Sequence, residues 1–116
     1  VETPIDSLKT IFYTALYHAQ VAPVTFSDKN GWFRLQNDEI VKTEGTAYST
    51  LSLWDTFRAE HPLLTLLQPK VTADIINSML AYYQVHKVLP VWTLYGNETN
   101  TMTGYHSVAV IAEAYL

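Results

Sequence analysis

A single carboxylate among neutral hydrogen-bonding side chains is the most chemically suggestive feature of this 116-residue sequence. Glu98 stands between Asn97 and Thr99, and Trp92 precedes it by six residues. Aromatic rings hold the apolar faces of sugars, and a lone carboxyl group can give its proton to a sugar oxygen. These residue types predict an acid that acts on a carbohydrate, with Trp92 and Asn97 helping to shape its site. The competing interpretation is a helix N-terminus capped by Asn97 or Asn100.

A second segment, residues 52–69, offers groups that could hold the same ligand. Trp54 and Asp55 are adjacent, so an indole could stack on a hexose while a carboxylate bridges two of its hydroxyls. Arg58 follows three residues after Asp55 and four after Trp54, which places the three on one face of a helix. Arg58 could therefore orient Asp55 or touch the sugar. The alternative is a surface ion pair beside a buried tryptophan, which contributes little to stability.

The two segments together resemble glycoside hydrolase family 92, the calcium-dependent exo-acting α-mannosidases. The resemblance extends over nearly the whole chain, because several separate blocks match in the same order. These blocks are residues 12–20, 26–31, 52–58, 61–63, 68–69, 76–80, 96–100 and 104–108. An ordered series of blocks is far more specific than any one of them.

The resemblance implies an activity and a role for each candidate residue. The parent protein would remove terminal mannose, with an α-1,2 linkage as the leading expectation, by inversion. Glu98 would be the catalytic general acid, and Trp54, Asp55, Arg58, Trp92 and Asn97 would bind the substrate. Calcium would be the cofactor, but the general base and most calcium ligands come from family motifs that these residues lack. The partners would be mannose-terminated glycans, and the location periplasmic or secreted.

Two other classes of function stay open at this point. One is a non-catalytic segment that binds carbohydrate or serves as a helical scaffold. The other is a glycosidase of the same architecture that acts on a different sugar.

Composition excludes several further classes. The chain is 48% hydrophobic and 16% charged with a formal net charge of -4, as in ordinary globular segments. No basic stripe is present, so nucleic acid is not an expected partner. No apolar run approaches the ~20 residues of a membrane span. The chain has no cysteine, and its four histidines are too far apart for a zinc pair, so no metal site is predicted within it.

Hydrophobic periodicity predicts a mainly α chain with one small β-hairpin. The hairpin is expected from Trp32 to Thr43, with a turn at residues 36–38. A helix is expected to stop before Pro23, because proline interrupts helices. The other predicted helices begin near Leu51, His61, Val71 and Met102, and residues 88–94 are predicted to be extended.

The resemblance turns this pattern into an expectation about architecture. It implies that residues 1–116 are a partial segment of one catalytic domain, a slice of an α/α toroid of the six-hairpin glycosidase type. The start at Val1 and the end at Leu116, within a helical pattern, favour the same interpretation. An isolated segment would lack the catalytic base and is expected to be inactive. Its apolar helix faces would contact the remainder of the parent domain or associate with each other.

Overall fold

The computed structural model describes residues 1–35 and 38–116 and is helix-rich with small sheets, as predicted. The predicted turn at residues 36–38 includes Gln36 and Asn37, which lie outside the described residues. In chain order the elements are α1 (Asp6–His18), β1 (Val24–Thr25), β2 (Trp32–Arg34), β3 (Ile40–Lys42), β4 (Tyr48–Ser49), β5 (Leu51–Ser52), α2 (Leu53–Thr56), α3 (Glu60–Leu67), α4 (Pro69–His86), β6 (Trp92–Leu94), β7 (Asn97–Glu98) and α5 (His106–Tyr115).

Helix α4 forms the centre of the core. Its buried residues Ile75, Met79 and Tyr82 recur at the spacing of one helix face, as their sequence pattern predicts. Ile75 and Met79 belong to a cluster completed by Leu51, Leu53, Leu64 and Val110. Tyr82 belongs to a second cluster, which it forms with Phe33, Leu35 and Ala47. One helix thus supports both the segment around α2 and the sheets beside it.

The described residues form three small antiparallel sheets, where the sequence predicted a single hairpin. The predicted hairpin is present as β2 paired with β3, and β1 pairs with β4. The third sheet has the order β5-β6-β7 and joins two distant parts of the chain, β5 and the β6–β7 hairpin. Its strands contain only two or three residues, too few to show a periodic pattern in the sequence.

Two predicted helix starts are wrong. Leu51 and Ser52 form β5 instead of beginning a helix, because they pair with Thr93 and Trp92 of β6. The last helix begins at His106 and not near Met102. Before it, Gly104 has a φ of 100°, a left-handed value that interrupts a right-handed helix.

Helix α1 contains no buried residue. Its exposed large side chains are Leu8, Ile11, Phe12, Tyr13 and Tyr17. The Cα radius of gyration is 15.3 Å, above the about 13 Å of a compact domain of this size. The apolar side of α1 is therefore not covered by the described residues.

Candidate functional site

Glu98 lies at the end of a tight hairpin formed by β6 and β7. Leu94 pairs with Asn97, which leaves Tyr95 and Gly96 as a two-residue turn. Both turn residues have positive φ, at 50° and 77°, as in the hairpin turns that match strand twist. The amide of Gly96 donates a buried hydrogen bond of 3.0 Å to Ser49 Oγ, which fixes the turn to β4.

The Glu98 carboxylate sits in a cradle of four backbone amides. Oε2 accepts hydrogen bonds from Val91 N at 2.8 Å and Trp92 N at 3.2 Å. Oε1 accepts from Trp92 N and Thr99 N, each at 3.1 Å, and from Asn100 N at 3.3 Å. Backbone amides on two sides therefore fix the carboxyl group in place. The position of Glu98 is set by the hairpin, not by a flexible loop.

The capping alternative does not describe this loop. The N-cap position of α5 is Tyr105, and no side chain makes a capping hydrogen bond there. Asn97 belongs to β7 and is exposed, while Asn100 contacts Glu98 through its backbone amide. Trp92 is half-buried and likewise contacts Glu98 through its backbone.

Trp54 and Asp55 both belong to the short helix α2, directly after β5. The hydroxyl of Ser52 donates a hydrogen bond to Asp55 Oδ2. Asp55 is exposed, and Trp54 is 40% exposed. An exposed carboxylate beside an exposed indole remains available to a ligand.

Arg58 contacts aromatic rings instead of Asp55. Its guanidinium carbon is 5.3 Å from the ring centroid of Trp54 and 5.0 Å from that of Phe57. Between residues of the described ranges the one ion pair joins Arg34 to Asp38, so the Arg58–Asp55 ion pair, which is the alternative interpretation of this segment, does not form. A guanidinium over an aromatic face is attracted by the negative face of the ring. Arg58 therefore orders Trp54 from one side.

The third sheet brings the two sequence segments together. Ser52 pairs with Trp92 across β5 and β6, and Thr93 pairs with Glu98 across β6 and β7. Asp55 is thus linked to Glu98 through three contacts: the Ser52 hydroxyl, the Ser52–Trp92 register and the hydrogen bonds from Trp92 N to the Glu98 carboxylate. The predicted acid and the predicted Trp-Asp pair belong to one connected unit.

Sequence reasoning missed several members of this unit. Tyr82 is 4% exposed, and burial together with the nearby Glu98 carboxylate raises the pKa of its phenol. In the sequence, Tyr82 is one position of an apolar helix face, so its pattern indicates only core packing. The amides of Val91 and Thr99 give no side-chain signal at all.

Burial shifts the pKa values of two adjacent groups at the start of α3 in the directions that favour their neutral forms. Burial raises the pKa of Glu60 to about 7 and lowers the pKa of His61 to about 4. The buried atoms Glu60 Oε1 and His61 Nδ1 have no hydrogen-bond partner within the described ranges. Desolvation disfavours each charged form, which accounts for the opposite directions.

Replacing Glu60 with Gln should remove a loss of stability that develops between pH 5 and pH 8, so the thermal unfolding midpoint at pH 8 should rise relative to that at pH 5. The folded pKa of about 7 exceeds the ordinary 4.5, so the contribution of Glu60 is present below pH 4.5 and lost as pH rises through 7. The contribution of His61 to stability has the opposite pH dependence and is present in both the unaltered protein and Glu60→Gln. It therefore cancels when the two proteins are compared. Thermal unfolding midpoints at pH 5 and pH 8 measure the effect, with Glu113→Gln as the control. An unchanged difference between the two midpoints in Glu60→Gln would contradict the assignment.

Neither a metal cluster nor a membrane-spanning helix occurs among residues 1–35 and 38–116. No group of three or more His, Cys, Asp or Glu side chains in these ranges could hold a metal ion. None of the helices there has the length and apolar character needed to cross a membrane. These residues therefore do not by themselves form a calcium site of that kind.

The chain is similar over residues 1–116 to the glycosyl hydrolase family 92 catalytic domain. It is 50% identical to the family GH92 α-mannosidase BT3965 from Bacteroides thetaiotaomicron over 97% of this chain, with a TM-score of 0.89. It is 54% identical to BT3965 in its complex with mannoimidazole over 87% of this chain, with a TM-score of 0.81. It is 30% identical to the family GH92 inverting mannosidase BT2199, from strain VPI-5482 of that species, over 90% of this chain, with a TM-score of 0.78.

The matched regions are small parts of these structures. The chain spans 16% of the first BT3965 structure and 14% of each of the other two. Among curated proteins, no relative matches.

Proposed function

Because the chain belongs to glycosyl hydrolase family 92, we propose that it forms part of the catalytic domain of a longer exo-acting α-mannosidase. This longer protein is the complete enzyme. It removes terminal α-linked mannose from glycans with inversion. The observation that supports this most directly is the Glu98 cradle, joined by strand register to the exposed Trp54 and Asp55. The helices would belong to an α/α toroid, with the apolar side of α1 covered by the remainder of the domain.

Glu98 is assigned the role of general acid. A glycosidase of this class protonates the leaving oxygen with one carboxyl group while a second activates water. Oε1 accepts three backbone hydrogen bonds and Oε2 accepts two. A carboxyl oxygen has about two lone-pair sites, so a proton on Oε2 would replace its longer contact, the 3.2 Å bond from Trp92 N, whose amide still donates to Oε1. The backbone amides of the cradle hold the Glu98 carboxyl group in place and take no part in proton transfer.

The other candidate residues bind the sugar. Trp54 offers the indole face that Arg58 does not cover, and Asp55 accepts hydrogen bonds from sugar hydroxyls. Trp92 and the exposed Asn97 border Glu98 and would contact the sugar or the leaving group. A relative of this chain is described in complex with mannoimidazole, which supports mannose as the ligand.

The general base and most of the calcium ligands are assigned to residues outside this chain, as the family resemblance implies. An α-1,2 linkage and a periplasmic or secreted location rest on the family resemblance alone.

Mannose release by the complete enzyme tests these assignments. We expect hydrolysis of α-1,2-mannobiose to exceed that of the α-1,3, α-1,4 and α-1,6 isomers and to stop when a calcium chelator is added. Excess calcium should restore it, and early NMR spectra should show the β-anomer of mannose as the first product. Release that persists after exhaustive chelation would contradict the calcium assignment. No hydrolysis by a folded, calcium-loaded enzyme would favour a binding role or another sugar.

A further inference from the structure

The hydroxyl of Ser52 contacts a carboxylate side chain and not a helix amide. Ser52 occupies the N-cap of α2, where a serine oxygen commonly accepts a hydrogen bond from a helix amide. Here no such capping bond forms. The hydroxyl instead donates to Asp55 Oδ2, on the carboxylate that would face the sugar. Ser52 therefore lacks the usual capping hydrogen bond and contacts Asp55, a residue of the proposed site, instead.

The backbone of Ser52 is fixed on both sides. Its strand position pairs with Trp92, whose amide donates to both oxygens of Glu98. Its carbonyl accepts a hydrogen bond of 3.0 Å from Thr56 Oγ1. The hydroxyl therefore extends from a backbone whose position relative to Glu98 is set by the sheet.

The second oxygen of Asp55 remains open. In the described ranges the one side-chain donor to Asp55 is Ser52, and it uses Oδ2. The guanidinium of Arg58, which could have competed for the carboxylate, lies over aromatic rings. With Oδ2 held, Oδ1 points in a fixed direction and can accept from a sugar hydroxyl.

We propose that Ser52 is a positioning residue, whose hydroxyl fixes the Asp55 carboxylate at a set place relative to Glu98. The inference rests on the proposed function, because it requires Asp55 to bind the sugar. Asp55 is exposed, so without the Ser52 hydroxyl its side chain would sample several rotamers in water. Substrate binding would then have to order it again.

The test compares Ser52→Ala with Ser52→Thr in the complete enzyme. For α-1,2-mannobiose, Ser52→Ala should raise KM about tenfold, the scale of one hydrogen bond to a charged group in a solvent-exposed setting. The kcat should change less than about twofold, because the interaction is made equally in the ground and transition states. Ser52→Thr keeps the hydroxyl and should restore KM. Thr65→Val, which removes a helical hydroxyl from α3, is the matched control and should leave KM unchanged.

A double variant separates positioning from a structural effect. If Ser52 acts through Asp55, adding Ser52→Ala to Asp55→Ala should change KM less than about twofold further. Independent, multiplicative effects would overturn the inference, as would a loss of kcat alone, which indicates a smaller folded fraction. So would an unchanged KM in Ser52→Ala when Asp55→Ala does raise KM. An Asp55→Ala enzyme with normal KM removes the sugar-binding role of Asp55 and this inference together. A complete enzyme without mannosidase activity refutes the proposed function itself, and the inference with it.

Discussion

Glu98→Gln in the complete enzyme should lower the rate of α-1,2-mannobiose hydrolysis by about 10²–10⁴-fold, the usual contribution of a positioned proton donor. The side chain keeps its size, but glutamine has no proton to give to the leaving oxygen. Binding of mannoimidazole, measured by calorimetry, should change far less than the rate. Glu44→Gln, at an exposed carboxylate, is the control and should have the activity of the unaltered enzyme.

The cradle gives Glu98→Gln a second possible effect that must be separated from the first. Both carboxylate oxygens accept hydrogen bonds from backbone amides. The side-chain NH₂ group of glutamine is also a hydrogen-bond donor, so in place of one oxygen it would be repelled by the amide it faces. A purely structural loss would slow every substrate to the same extent. The loss of a proton donor would spare a substrate whose leaving group needs no proton.

An activated aryl mannoside distinguishes the two. With 2,4-dinitrophenyl α-mannoside, whose phenolate departs unprotonated, we expect Glu98→Gln to retain most of its activity. Equal losses on this substrate and on mannobiose would make Glu98 a structural residue of the hairpin. An unchanged rate on mannobiose would remove it from the mechanism altogether.

The sequence supports predictions wherever one element is long enough to carry its own pattern. Helix α4 shows Ile75, Met79 and Tyr82 at helical spacing, and all three are buried as expected. The β2–β3 hairpin follows from β-favouring residues in two adjacent runs. In each case the signal and the structure it predicts lie in the same stretch of chain.

The third sheet could not be predicted in that way. Leu51 and Ser52 directly precede a helix, and their local sequence predicts that they belong to it. They form a strand instead, because they pair with β6. The register of such short strands depends on pairing with residues about 40 positions away in the sequence. Neither segment has a local sequence pattern that predicts this pairing. The relation between Asp55 and Glu98 was therefore available only from the structure.

Arg58 shows the limit of spacing as evidence. At three residues from Asp55 and four from Trp54, it could reach either side chain. The structure places it over Trp54 and Phe57, and Asp55 is held by Ser52 instead. Helical spacing says which residues are neighbours, but not which of two neighbours forms the contact.

Gly96→Ala should be the most damaging small substitution in the hairpin. The φ of Gly96 is 77°, and a Cβ built there would lie 2.5 Å from Arg34 O and 2.8 Å from Phe26 Cε1. Arg34 O is backbone of β2, which cannot move aside without disturbing its pairing with β3. Strain from positive φ and overpacking should together cost about 2–5 kcal/mol.

The same substitution should reduce catalysis through the position of Glu98. Gly96 stands two residues before Glu98, and its amide joins the turn to Ser49. Displacing the turn moves the carboxylate relative to its cradle, so the rates on mannobiose and on the activated aryl mannoside should fall together. That joint loss, with a lower thermal midpoint of the complete enzyme, is the opposite of the pattern expected for Glu98→Gln.

Two further variants identify the cause. Gly45→Ala also introduces a side chain at positive φ, 135°, but the three atoms nearest its Cβ belong to the Asp74 side chain, which can rotate away. Because 135° lies further than 77° from the left-handed region open to alanine, backbone strain alone would make Gly45→Ala the costlier variant. If the contact with Arg34 O dominates, Gly45→Ala will instead cost less than Gly96→Ala. Asparagine tolerates left-handed backbone better than alanine but has the same Cβ. If the contact with Arg34 O dominates, Gly96→Asn will be as unstable as Gly96→Ala. A Gly96→Asn enzyme with normal stability and activity would show that backbone strain alone, and not the close approach of the turn to β2, makes glycine necessary at this position.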